Sequence, residues 1–104
     1  MDHAVQQRLT DCILACNHCF DACLNEEHVG HMADCIRLDR DCADICSVLL
    51  QAIARSSTNV SVLAKACQDI CEACAAECKK HEHDHCQECA KACTACAEAC
   101  RKLV

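Results

Sequence analysis

The stretch "CILACNHCFDAC" (residues 12–23) places four cysteines at steps of four, three and four residues. Steps of three and four return side chains to one face of an α-helix, so these four thiols share a single stripe. Such a stripe is normally the face that a helix buries against its neighbours in a bundle. The stretch therefore predicts a helix whose buried face is made largely of sulfur.

The same spacing recurs along the chain. It is repeated in "CQDICEACAAEC" (67–78) and "CAKACTACAEAC" (89–100), and Cys86 extends the last repeat by one step. In "CIRLDRDCADIC" (35–46), Asp39 occupies the position of the fourth cysteine. The fourfold repeat predicts four helices that turn their thiols toward one another. The candidate metal ligands are all sixteen cysteines: Cys12, Cys16, Cys19, Cys23, Cys35, Cys42, Cys46, Cys67, Cys71, Cys74, Cys78, Cys86, Cys89, Cys93, Cys96 and Cys100.

Composition favours an all-α protein. The chain has 104 residues, one glycine, no proline and one aromatic residue, Phe20, so it is poor in turn formers and in large core residues. Short polar segments separate the cysteine stripes, and short connections make neighbouring helices antiparallel. We expect residues 1–104 to form one domain, an up-down-up-down four-helix bundle. The helices are expected at about 3–25, 31–55, 59–80 and 85–103.

Several residues are suited to the helix ends. Gly30 can end or bridge a helix terminus, and Thr58 or Asn59 can cap the third helix. Asp84 with Gln87 resembles a capping box that opens the fourth helix.

The charge pattern argues against nucleic acid and membrane partners. The formal net charge is −6, and the ten Lys and Arg residues are scattered, whereas phosphate binding needs a concentrated basic face. No apolar run reaches the roughly 18 residues of a membrane span, and the first ten residues do not resemble a secretory signal. We therefore expect a cytoplasmic protein.

The two ends of the predicted bundle differ in chemistry. One end is an apolar plug of Val5, Leu9, Leu49, Ile53, Val60, Leu63 and Leu103. The other end, called the mouth below, gathers Glu26, His28, His31, Met32, His81, Glu82, His83 and His85. His81 and Met32 continue the cysteine stripes, so they are the preferred candidates for receiving incoming metal. The further candidates at the mouth are His28, His83 and His85.

Thiolate ligands restrict the choice of metal. They favour Cu(I), Zn(II) or iron–sulfur clusters. Cu(I) is satisfied by two or three sulfurs, and its single charge balances one thiolate. Zn(II) needs four converging ligands, and iron–sulfur clusters usually use loop cysteines, whereas Asp39 interrupts one layer of thiols and the cysteines here are mid-helix. Copper is favoured, with zinc as an alternative; Asp39 is an accessory ligand, a proton acceptor or a polar gap.

Other classes of protein remain open at this level. Disulfides between "CxxxC" motifs would make a stapled helical interaction module, and one or two copper ions per chain would indicate a metallochaperone. The chain has no phosphate-binding glycine loop, nucleophile elbow or carboxylate pair set in a pocket, so no enzymatic activity is expected.

The repeated helical "CxxxCxxCxxxC" resembles the bacterial copper storage proteins, and the resemblance covers essentially the whole chain. It implies a four-helix bundle that stores many Cu(I) ions on core cysteines and receives them at an end bearing His or Met. Because no secretory signal is recognised, the chain resembles the cytosolic branch of that family. The resemblance also implies a homotetramer, and the expected partners are copper ions and copper chaperones.

Overall fold

The computed structural model describes residues 3–104, and four long helices account for most of them. Alanine is frequent in these segments and no proline interrupts them, which favours uninterrupted helix. A short 3₁₀ turn at Val29–Met32 leads directly into the second helix. The helices are α1 (His3–Leu24), α2 (Ala33–Ala54), α3 (Val60–Cys78) and α4 (Asp84–Arg101).

Side-chain pairs between the helices show an antiparallel arrangement. Cys12 Sγ lies 3.6 Å from Cys42 Sγ, and Cys19 Sγ lies 3.9 Å from Cys35 Sγ. The α2 residue number falls as the α1 number rises, so these two helices run in opposite directions. The same inverse order relates the other neighbouring helices: Cys42 with Cys71 and Cys35 with Cys78; Cys12 with Cys93 and Cys19 with Cys86; Lys79 with Gln87 and Glu72 with Arg101.

The bundle is a rod of 44 × 18 × 17 Å. Each helix packs against two others, so that α1 lies diagonal to α3, and α2 diagonal to α4. The predicted all-α four-helix bundle is confirmed. Residues 3–104 contain no helix with both the length and the apolarity that crossing a bilayer would require.

The helix ends differ in part from the sequence expectation. Ser56 has a φ of 53° and ends α2, with Ser56 N–H donating to Ile53 O (3.1 Å) and Ser57 N–H to Ala52 O (2.9 Å). This pair of bonds is a Schellman motif with serine at the left-handed position that glycine usually occupies. The predicted capping box at α4 is wrong, because His83 precedes the helix and Gln87 donates to His81 O (2.6 Å) instead.

The apolar plug predicted from the sequence is confirmed. Val5, Leu9, Leu49 and Ile53 are buried, and Val60, Leu63 and Leu103 pack against them from partly exposed positions. These residues come from the start of α1, the end of α2, the start of α3 and the segment after α4. In an antiparallel bundle all four segments meet at one end. The plug therefore closes that end with ordinary hydrophobic packing.

Candidate metal centre

Every cysteine points into the bundle. All sixteen lie within the described residues, all are free thiols, and each is fully buried. The prediction that the thiols share an inward stripe on each helix is therefore confirmed. The disulfide-stapled module has no support in this arrangement, because none of the sixteen is paired.

The thiols come together in groups of four whose Sγ atoms lie within 4.8 Å of one another. Each of the five groups named below takes one "CxxxC" pair from a single helix and one thiol from each of two other helices. Six cysteines belong to two of these five groups: Cys12, Cys16, Cys42, Cys46, Cys71 and Cys93. Five such groups are Cys12, Cys42, Cys46 and Cys71; Cys12, Cys16, Cys42 and Cys93; Cys16, Cys74, Cys89 and Cys93; Cys19, Cys23, Cys35 and Cys86; and Cys46, Cys67, Cys71 and Cys96.

These groups change the expectation for zinc. From the spacing alone, a four-coordinate zinc site would need a layer with one cysteine from each helix, and Asp39 interrupts one such layer. In the five groups above, the fourfold convergence arises instead from the i, i+4 pair of one helix with two neighbours. Four-coordinate sites are therefore geometrically available, and several of these groups share thiols, whereas the group of Cys19, Cys23, Cys35 and Cys86 shares none with the other four.

Asp39 is a fully buried carboxyl group within the column of thiols. Its Oδ1 atom accepts hydrogen bonds from Cys89 (3.3 Å), Cys74 (3.5 Å) and Cys78 (3.6 Å), and Oδ2 accepts one from Cys35 (3.9 Å). Burial raises the pKa of Asp39 to about 8, and the nearby charge of an ionised Cys89 contributes in the same direction. Asp39 therefore places a carboxyl group among the sulfurs.

Burial also acts on the thiols nearest the mouth. It raises the pKa of Cys86 to about 12 and raises the pKa of Cys23, because a buried thiolate loses its hydration. Hydrogen bonds from Cys19 and Cys78 act in the opposite direction on Cys35 and lower its pKa. A bound cation replaces the protons of such thiols, so metal binding should weaken as pH falls.

His85 is the mouth residue that reaches the thiols. Its Nδ1 atom lies 3.5 Å from Cys19 Sγ, 3.5 Å from Cys86 Sγ and 3.9 Å from Cys23 Sγ. Its Nε2 atom lies 2.7 Å from Glu26 Oε2. This hydrogen bond lowers the pKa of Glu26. The imidazole thus stands between a surface carboxylate and three of the outermost thiols.

Among residues 3–104, the other mouth histidines make no hydrogen bond to a thiol, and Met32 is buried in the same core as the cysteines. His28, Met32, His81 and His83 line an open cavity of about 390 Å³ together with His31 and acidic residues. His81 Nε2 lies 2.9 Å from Glu77 Oε2, and this bond lowers the pKa of Glu77. No hydrogen bond joins His81 to a thiol among residues 3–104.

Helical register alone predicts a different preference among the mouth residues for receiving metal. It favours His81 and Met32 over His85, whereas the structure places His85 against the thiols. His81 lies beyond the last residue of α3, where the stripe no longer determines direction, and His85 lies in the first turn of α4. The partnership of Glu26 with His85 joins the turn after α1 to the first turn of α4 and leaves no signal in the sequence. The sequence-based prediction did not include the partnership of Glu77 with His81, although their i, i+4 spacing indicates it.

Comparisons with known proteins agree with this geometry. A family model described as "Copper storage protein" matches residues 1–104. The cysteine-rich protein YhjQ of Bacillus subtilis (strain 168) is 55% identical over 93 residues, which cover 89% of this chain and 86% of that protein.

Solved structures show the same fold. The Cu(I)-bound copper storage protein BsCsp3 of Bacillus subtilis superposes with a TM-score of 0.93 at 51% identity, over 97% of this chain and 95% of that one. A cytosolic copper storage protein from Streptomyces lividans, in a structure of copper loading with five coppers, superposes with a TM-score of 0.84 at 35% identity, over 98% and 96% of the two chains. On this family match and these similarities, the chain belongs to the copper storage protein family.

Proposed function

We propose that the sixteen cysteines are the ligands of a multi-ion Cu(I) store within a single domain, residues 1–104. The observation that carries this proposal is the overlap of the thiol groups. Because Cys12, Cys42 and Cys46 each stand in two groups, a thiolate of this column is positioned to bridge two ions. Cu(I) accepts two or three shared sulfurs, so a continuous chain of ions suits the column.

Charge balance favours Cu(I) over Zn(II) in this interior. One Cu(I) per thiolate leaves the column close to neutral, whereas a zinc ion with four thiolates carries a net charge of −2. An uncompensated buried charge costs several kcal/mol. The four-thiol groups nevertheless make zinc the second candidate. Competition between the two metals for the reduced apoprotein would separate them, and a preference for zinc would contradict the copper store.

Capacity is the decisive measurement. Reduced apoprotein is titrated with Cu(I) under anaerobic conditions against a chromophoric Cu(I) chelator, and thiols are counted before and after. We expect sixteen free thiols and a capacity close to one copper per thiol. One or two copper ions per chain would indicate a metallochaperone instead, and few free thiols in freshly isolated protein would indicate a stapled module.

Asp39 is proposed as an accessory ligand at the level where helix α2 lacks a cysteine. Its Oδ1 atom faces Cys74 and Cys89, so a copper ion held by these thiols would lie within reach of the carboxylate. We expect Asp39→Asn to alter the spectrum of the first copper ions bound while leaving the total capacity nearly unchanged. Identical spectra would remove Asp39 from the ligand set.

Copper is proposed to arrive at the mouth, by ligand exchange among His28, Met32, His81, His83 and His85. It then passes to the outer thiols and moves inward along successive "CxxxC" and "CxxC" steps. Replacing His81 and Met32 should slow uptake more than it lowers capacity. An unchanged rate would remove these two residues from the path.

The remaining expectations concern the cellular setting. We propose a cytoplasmic location, supported by the Streptomyces lividans relative that is named as cytosolic, and we propose that the protein acts as a store without catalysis. A homotetramer is proposed because apolar side chains such as Leu14 and Val48 stay exposed on the monomer. Light scattering would measure the subunit number. Copper chaperones are the proposed donors, and metal transfer from a loaded chaperone would test them.

A further inference from the structure

We propose that Glu26 is a positioning residue that holds the His85 imidazole so that its Nδ1 atom can hand Cu(I) to Cys19, Cys23 and Cys86. This inference rests on the proposed copper store. It adds Glu26 as a residue that influences copper transfer by holding His85. Glu26 itself lies on the solvent side of His85, away from the thiols.

The hydrogen bond determines which nitrogen is free to bind metal. An ionised carboxylate only accepts hydrogen bonds, so Glu26 Oε2, at 2.7 Å, requires the hydrogen to be on His85 Nε2. In a neutral imidazole Nδ1 then carries the lone pair, and this is the atom that faces the three thiols at 3.5 to 3.9 Å. A carboxylate on the distal nitrogen also increases the basicity of a histidine ligand.

The backbone places Glu26 for this task. Glu26 N–H donates to Cys23 O (3.2 Å) in the turn that ends α1, so this turn ties Glu26 to the backbone of one of the three thiol-bearing residues. His85 precedes Cys86 in the first turn of α4. The bond between Glu26 and His85 therefore joins the mouth ends of α1 and α4 directly above the thiols.

His83 adds a second constraint on the same imidazole. Its ring is stacked on that of His85, with centroids 5.2 Å apart and planes inclined by 5°. His83 Nδ1 lies 3.4 Å from the same Glu26 Oε2 atom. One carboxylate oxygen thus contacts both histidines, and rotation of the His85 ring would break the bond and the stack together.

The bundle does not need this contact to fold. The side chains of Glu26 and His85 retain 28% and 13% of their exposure, and partly exposed ion pairs contribute little to protein stability. Loss of a residue that orients a metal-binding histidine typically lowers metal affinity or activity about 10- to 100-fold. The pair formed by Glu77 and His81 is the matched comparison, because its chemistry is the same but its histidine has no thiol partner in the described part of the chain.

The test measures the initial rate at which reduced apoprotein takes Cu(I) from its bicinchoninate complex, by stopped flow, followed by total capacity. We expect Glu26→Ala to slow transfer about 10-fold without changing capacity, and Glu77→Ala to slow it less, because His81 makes no hydrogen bond to a thiol within residues 3–104. The double variant Glu26→Ala with His85→Ala should be no slower than His85→Ala. A wild-type rate for Glu26→Ala, or a further loss in the double variant, would overturn the inference.

Two further readouts exclude a merely structural role. Glu26→Gln should recover most of the rate, because its amide oxygen accepts the same hydrogen bond; a rate as low as that of Glu26→Ala would contradict the orientation argument. Nitrogen-15 shifts of the wild-type ring should report the hydrogen on Nε2, and the Nδ1–H tautomer would refute the inference without any variant. Failure of the copper store itself would show separately, as a low wild-type capacity.

Discussion

The two ends of this bundle differ in chemistry: one end is closed by apolar packing, and the other carries the histidines proposed to receive metal. At the plug, Leu9 and Leu49 are fully buried, and their hydrocarbon side chains have no atom that binds metal. At the mouth, His85 and His81 are partly exposed and each bonds to a carboxylate. The column of thiols lies between them. Because stability has its own apolar source at one end, the interior can be filled with small, weakly polar thiols whose ionisation the metal later compensates.

Removing copper should have the largest effect on the stability of the bundle, and this effect should fall on the thiol-bearing region between the two ends. A ligand present at 100 times its Kd stabilises the folded state by about 2.7 kcal/mol per site, and many ions add together. We expect the loaded protein to unfold at a much higher temperature than the apoprotein. Hydrogen exchange should show the protection concentrated in the thiol-bearing turns of the helices. Equal unfolding temperatures for the two forms would contradict the proposed loading of the core.

Shortening a buried side chain of the plug should have the second-largest effect on stability. Leu9→Ala removes a fully buried side chain, and such changes cost about 2 to 5 kcal/mol. Denaturant unfolding of the apoprotein measures the loss, and Cu(I) titration should show an unchanged capacity. The control is Leu24→Ala near the mouth, where the side chain is 50% exposed and the change should stay within about 0.5 kcal/mol. Equal losses for the two variants would mean that the plug has no special role.

Asp39 should make the stability of the apoprotein depend on pH. Its ordinary pKa is 3.8 and its folded pKa about 8, so between these values unfolding releases a proton. Stability should therefore fall as pH rises through this window, by at most about 1.4 kcal/mol per pH unit. Asp39→Asn should remove this slope in denaturant unfolding between pH 5 and 8.

The matched control for Asp39 is Asp11→Asn, an exposed position on α1 that should keep the wild-type slope. If Asp39→Asn and the wild type had the same dependence on pH, the buried carboxyl group would not be the cause.

The smallest effect is expected at Ser56, where α2 ends beside the plug. A non-glycine residue in the left-handed region is disfavoured by about 1 to 2 kcal/mol, so replacing it with glycine relieves this cost in the folded state. Part of the stabilisation is lost again, because glycine has greater freedom in the unfolded chain. Ser56→Gly should stabilise the apoprotein by about 0.5 to 1 kcal/mol, as measured by thermal unfolding, without altering copper uptake. Destabilisation would show that Ser56 is not strained.

Much of the column of thiols was predictable because the spacing that defines it lies within each helix. The steps of three and four in residues 12–23, 67–78 and 89–100 follow from helix geometry alone, so the inward direction of those thiols needed no tertiary contact. The apolar plug followed from the same register. The capping box at Asp84 failed because Gln87 bonds to the backbone of the preceding loop, an alternative that the sequence pattern does not exclude.

By itself, the sequence determined four helices, the stripe that each one buries and the different chemistry of the two ends, since helical periodicity is a property of the chain alone. Only the tertiary structure decided which thiols form groups, that Asp39 faces Cys74, Cys78 and Cys89, and that His85 meets the thiols while His81 bonds to Glu77. These contacts depend on how neighbouring helices are aligned and on the path of the loops. Distances between residues far apart in the chain set both, and no local pattern encodes such distances.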